Sequence, residues 1–204
     1  MTLSPLPAPD HRTDRTVPPL GAVPRQRPAR EAAPEPRTGP ARPALPDCGT
    51  DGDPPATGWL HPTGRVPAVL AAWGHGALAE VPTGIAWDVV RVPAELGPDT
   101  VRRLRAAGVR PGPVLATPLG ADFVVAPGSV EGWSVAGTSV LSRGTLVLLP
   151  HPEAVGTRRV GNRGWLVAPD GDGTLTCAAD LRDAYTEALA AAAAREAAAS
   201  AESV

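Results

Sequence analysis

The sequence has no lysine: across its 204 residues every one of the 19 basic side chains is arginine. With alanine, proline and glycine so abundant, that absence reads as the coding bias of a GC-rich genome and not as a mechanistic feature. Cysteine is nearly missing too. Cys48 and Cys177 are too few and too far apart for a disulfide framework or a metal-ligand spacing, which fits a reduced, cytoplasmic setting. No apolar run reaches transmembrane length, and the opening MTLSPLPAPDHRTDRTVPPL lacks both the cationic start and the apolar segment of a secretory signal. The expectation is a soluble cytoplasmic protein with no membrane partner. An excess of one charge is also absent. The formal net charge of -2 supplies no cationic field, so any contact with nucleic acid has to be local.

Several chemical signatures are missing as well. His11, His61, His75 and His151 lie in separate segments without the spacing of a metal site. No G-x-S-x-G marks a serine nucleophile, and the glycines form neither a P-loop nor a dinucleotide fingerprint. The run Asp170-Gly171-Asp172-Gly173 has the start of a calcium loop without its downstream glutamate, and is expected to be a polar turn.

What is present divides the chain in three. Residues 1–57 hold more than half of the 26 prolines and almost no large apolar side chains, a composition too poor in buriable surface to offset ordering entropy. A disordered Pro/Arg-rich tail is expected there. It is a passive segment by preference and a docking motif for a proline-recognising protein partner as the alternative. Residues 58–190 are expected to form one α/β domain, a small mixed sheet with flanking helices, and residues 191–204 the fraying end of an Ala-rich helix.

Within the domain, VPAVLAAWGHGAL predicts a helix stopped at Gly74/Gly76, IAWDVVRV a strand, and DTVRRLRAAG a helix opened by Pro98 and closed by Gly108. Then come five strand-length apolar runs, PVLAT, DFVVAP, TSVLS, TLVLLP and GWLVAP, each beside a turn signal. The last helix presents Leu181, Tyr185 and Leu189 as its docking stripe. The five tryptophans, spread one per element, are expected to fill a core otherwise built from Ala and Val in preference to stacking on bases.

One acidic residue stands inside an apolar strand. Strand alternation puts Asp88 with Ala86 and Val90 on one side and Arg91 with Trp87 and Val89 on the other, so Arg91 cannot pair with Asp88 within the strand. Asp88 is then solvent-facing, paired with an arginine from a neighbouring element, or part of a metal site. Pairing is preferred, because phosphoryl-transfer sites need a second carboxylate close by.

The string VPTGIAWDVVRVPAELG, then VRRLRAAG, GPV and Thr117-Pro118, resembles the small bacterial proteins that carry the bifunctional DNA primase/polymerase N-terminal domain. The likeness continues through DFVVAPG, Arg143-Gly144-Thr145, the strand ending in Pro150-His151-Pro152, and WLVAPD, covering roughly residues 59–185. It implies an archaeo-eukaryotic primase-like fold in which two acids on one strand and a third on a later strand hold divalent metal ions, and a histidine contacts the incoming nucleotide. Asp88 matches the first acid. Its partner's place falls on Val90 or Arg91, and the strand that would carry the histidine reads Gly120-Ala121-Asp122-Phe123. One aspartate cannot fix a pair of ions some ~3.5–4 Å apart, so Asp122 would have to complete the site by lying beside Asp88.

Three readings follow. The first is a catalytically eroded primase/polymerase-like domain with a nucleotide- or nucleic-acid-binding or regulatory role, needing no cofactor. Arg91, Arg143 and His151 are its candidate contacts, with Arg102, Arg103, Arg105, Arg158, Arg159 and Arg163 as further phosphate-facing charge. The second is an adaptor acting through the tail. The third is a nucleotidyltransferase that uses magnesium or manganese on Asp88 and Asp122.

Overall fold

The computed structural model describes residues 56–202. The tail expected over residues 1–57 therefore lies almost wholly outside the described residues. A short 3-10 turn, Gly58–Thr63, leads into helix α1, Val66–Gly74, which has Pro67 in its first turn, where a missing N–H costs nothing. The strands are β1, Ala79–Pro82; β2, Asp88–Val92; β3, Val114–Thr117; β4, Gly120–Val125; β5, Ser139–Val140; β6, Leu146–Leu149; and β7, Gly164–Val167. Helix α2, Gly97–Ala106, falls between β2 and β3, and helix α3, Ala178–Glu202, closes the chain. At the end of α2, Gly108 takes a left-handed φ of 75° while the Val109 N–H returns to the Leu104 carbonyl, the expected glycine stop.

Five strands form one antiparallel sheet in the order β5-β2-β4-β3-β7, and β1 pairs with β6 in a separate antiparallel ribbon. The expected α/β class, a small sheet with flanking helices, is what the chain forms. Central β4 is buried along its whole length, which explains its nearly unbroken apolar sequence. It joins β3 through the two-residue turn Pro118-Leu119. Gly120 makes the return possible, with φ at 146° and no Cβ to strike the Val92 carbonyl oxygen of the adjacent strand.

Each face of the sheet carries its own core. Val90, Phe123, Val125 and Val114 pack with Leu104, Leu181 and Tyr185 from α2 and α3. On the other face, Val89, Val124 and Leu115 pack with Leu60, Val69, Val81 and Leu149 from the 3-10 turn, α1 and the β1–β6 ribbon. The alternation predicted for the Asp88 strand holds from Asp88 onwards, Val89 and Val90 entering opposite cores, whereas Ala86, ahead of the strand, packs on the side of Val89 and not of Val90.

Two points depart from the sequence reading, an unforeseen strand and the stripe of the last helix. The tryptophans come from separate segments, as expected. Trp59, Trp87 and Trp165 meet in one cluster, the first two stacked at 5.6 Å between ring centroids and Trp165 edge-on to Trp59 at 6.1 Å. Together with Trp73 they fill the first core, as the packing reading required. Strand β1 was not foreseen, because AEVP carries an acid and a proline and becomes a strand only by pairing with β6. Leu189 is 39 % exposed, and the docking stripe of α3 is Leu181, Ala184, Tyr185 and Ala188. Helix α3 runs from Ala178 to Glu202, so residues 191–202 are its end.

The candidate functional site

Asp122 lies in the middle of the central strand and is only 2 % exposed, so its charge needs a partner inside the protein. Register supplies one. Arg91 of β2 sits directly opposite Asp122, and cross-strand neighbours project to the same face. The guanidinium donates from Nε to Oδ1 at 2.6 Å and from Nη2 to Oδ2 at 2.8 Å, a bidentate pair. This hydrogen-bonded pairing raises the Arg91 pKa above its already high ordinary value against the opposing effect of burial, with the Asp122 charge adding to the rise. Arg91 is thereby fixed as a cation whose Nη1 has no partner among the described residues.

Asp88 lies on the opposite face. It opens β2 across from Val125, in the row of Val90 and Phe123 that faces α2 and α3, whereas Asp122 is in the row of Val89 and Val124. Its Oδ2 accepts the Gly128 N–H at 2.7 Å, pinning the Ala126–Ser129 turn that follows β4. The arginine from a neighbouring element preferred as the partner of Asp88 is not found among the described residues; the arginine–aspartate pair of this sheet is Arg91 with Asp122, which the sequence missed because it depends on register between residues 31 positions apart.

A shared Asp88/Asp122 metal site is accordingly corrected: the two carboxylates are on different faces, and both oxygens of Asp122 are taken by Arg91. These residues do not fit a magnesium or manganese pair. Among the described residues no group of three His, Cys, Asp or Glu side chains comes together that could hold a metal ion.

The Arg91–Asp122 pair forms the floor of a cleft of about 180 Å³ between the five-stranded sheet and β6. Leu115, Leu141, Leu146 and Leu148 give it apolar walls, Thr117 and Thr145 add hydroxyls, and Arg163 lines it from the β6–β7 loop. Leu119, 71 % exposed at the β3–β4 turn, stands at its edge. Larger hollows exist elsewhere on the surface. The one of about 390 Å³ beside the end of α2 includes Arg110, which already pairs with Asp170 and Asp172 at 3.0 Å each. The Asp-Gly run is the polar turn expected of it, with Asp170 Oδ1 accepting the Asp172 N–H at 3.2 Å and the Thr174 N–H at 3.4 Å.

The other candidate contacts do not converge on the cleft. Arg143 precedes β6, and its aliphatic stem covers Gly84, so close that a Cβ there would meet its Cγ at 2.5 Å. His151 follows β6 at the other end; its ring sits edge-on to Trp73 at 5.5 Å, and its Nδ1 accepts the Glu153 N–H at 3.3 Å. Arg102 and Arg103 pair with Asp99, and Arg103 also reaches Glu187 at 3.0 Å. Arg158, Arg159 and Arg163 differ: they share the β6–β7 loop, and none has a carboxylate partner among the described residues. Among the described residues no helix is long and apolar enough to cross a membrane. The chain matches no family model, no curated protein and no solved structure.

Proposed function

We propose that this chain is a primase/polymerase N-terminal-domain-like protein that no longer catalyses nucleotide transfer and acts in the cytoplasm as a nucleic-acid-binding regulator. The observation that carries the binding role is the β6–β7 loop, where Arg158, Arg159 and Arg163 stand together without acidic partners. Elsewhere Arg91, Arg102, Arg103 and Arg110 are neutralised by ion pairs, so this loop is a local concentration of positive charge on a chain of net charge -2. Arginine at such a place suits bidentate contact with backbone phosphates. The loss of catalysis is supported by the fate of the carboxylates: Asp88 secures a turn, Asp122 neutralises Arg91, and the place of the second acid falls on Val90 or Arg91.

Filter binding of the full chain to single-stranded and duplex DNA at low salt tests this reading. Replacing Arg158, Arg159 and Arg163 together by Ala should weaken binding and flatten the salt dependence by roughly 0.7–0.9 per lost phosphate contact. No measurable affinity in the unaltered chain removes the proposal. Magnesium- or manganese-dependent primer extension that disappears in Asp88→Ala would replace it with the enzyme reading.

A further inference from the structure

We infer that the cleft between β6 and the five-stranded sheet is a binding site for a small monocarboxylate with an apolar tail, sharing only Arg163 with the nucleic-acid surface proposed above. The floor is polar and fixed. Arg91 is held in one orientation by both oxygens of Asp122, which leaves its Nη1 hydrogens as preorganised donors with no partner among the described residues. Arg163 adds a second guanidinium, engaged among the described residues only with the Gly161 carbonyl at 3.2 Å. The walls are leucine, and two of those leucines, Leu119 and Leu146, remain 71 % and 52 % exposed. Large apolar side chains left in solvent around fixed donors are the usual construction of a ligand site.

Charge selects the head group. Asp122 cancels one of the two guanidinium charges, so the cleft carries a single net positive charge and the buried carboxylate repels any second negative charge brought near it. A monoanion is favoured over a phosphate dianion. Size selects the tail: about 180 Å³ is below the ~300–1,000 Å³ of pockets that take drug-sized ligands. A carboxylate on a short alkyl chain fits, its two oxygens towards Arg91 and Arg163 and its methylenes against Leu115, Leu146 and Leu148.

The test is an amide chemical-shift titration of the full chain with hexanoate, with hexanamide and inorganic phosphate as comparisons. Hexanoate should shift the Leu119, Thr145 and Leu148 amides saturably, and hexanamide should bind about tenfold more weakly for want of a charge-assisted bond. Arg163→Ala should weaken hexanoate by a similar factor, and Leu146→Asp, at an exposed position, should abolish the shifts while leaving the rest of the spectrum in place. Arg158→Ala with Arg159→Ala should leave hexanoate binding unchanged while reducing DNA binding, so the two proposals fail separately. Absence of saturable shifts, shifts confined to other regions, hexanamide as tight as hexanoate, or phosphate tighter than hexanoate each overturns the inference.

Discussion

The Arg91–Asp122 pair shows how register between two strands decides what a buried carboxylate can do. Arg91 of β2 turns towards the neighbouring strand and takes up Asp122, the only carboxylate of β4. Removing one partner strands the other. Asp122→Leu leaves a half-buried guanidinium unpaired and Arg91→Leu leaves a carboxylate that is 2 % exposed without a counter-charge, so each should cost about 3 kcal/mol or more in urea unfolding. The double change Arg91→Met with Asp122→Leu should recover most of that loss, because two apolar side chains of similar size replace both charges at once. Equal loss in the double variant and the sum of the singles would show the pair to be uncoupled. Tyr185 offers a second residue-scale prediction. Burial pushes its phenol above the ordinary value of 10.0, with the negative charge of Glu95 adding to the shift. The folded state therefore favours the neutral phenol. That contribution is complete below the ordinary value and is lost as the pH rises through the raised one. Since this is the protein's single tyrosine, tyrosinate absorbance reads it directly. The midpoint should lie above that of the urea-unfolded chain, and Tyr185→Phe should flatten the alkaline decline in stability.

At the scale of elements, the β3–β4 hairpin depends on one backbone position. Gly120 combines a φ of 146° with contact against Val92, so Gly120→Ala introduces both strain and collision at the entry to the central strand. It should destabilise by more than about 1 kcal/mol, whereas Gly108→Ala at the end of α2 meets open space and bears the left-handed strain alone. Thermal melts of the two variants compare them directly. The same contrast explains which elements were legible in the sequence. Helix α2 carries its own signals, Pro98 and Asp99 at the start and Gly108 past the end, and β2, β4 and β6 are β-branched or leucine-rich runs between turns. Strand β1 has no such signal, because a run of Ala, Glu, Val and Pro is a strand only beside β6. TSVLS yielded only the pair Ser139–Val140, since only two of its residues find partners on β2. The cleft was illegible for the same reason. Arg91 was named as a contact, but what it faces is decided by register with β4 and by the approach of β6 and Arg163 from later in the chain. Arg143 and His151 were named from the motifs of the resemblance that flank β6, and that strand holds them at opposite ends.

Across the described residues, a single sheet separates two cores, and most of the tryptophans lie on one side. Trp59, Trp73, Trp87 and Trp165 belong to the core under α1 and the β1–β6 ribbon, while Tyr185 lies in the core under α2 and α3 with Trp133 packed against it. Central β4 contributes to both, Val124 to the first and Phe123 and Val125 to the second. Neither core can dissolve without exposing one face of a strand whose other face remains buried, so the two should lose structure together. Tryptophan emission then reports mainly the first core, and far-UV circular dichroism reports mainly α3, the longest helix of the described residues and part of the second. Urea transitions followed by the two signals should share one midpoint in the unaltered chain. They should still coincide when Leu104→Ala weakens the α2 side by about 2–5 kcal/mol, with both midpoints moving down together. Two separated transitions, with the dichroism lost before the tryptophan emission changes, would mean that the sheet does not couple its faces and that the cleft on the β6 side stands independently of the helices behind it.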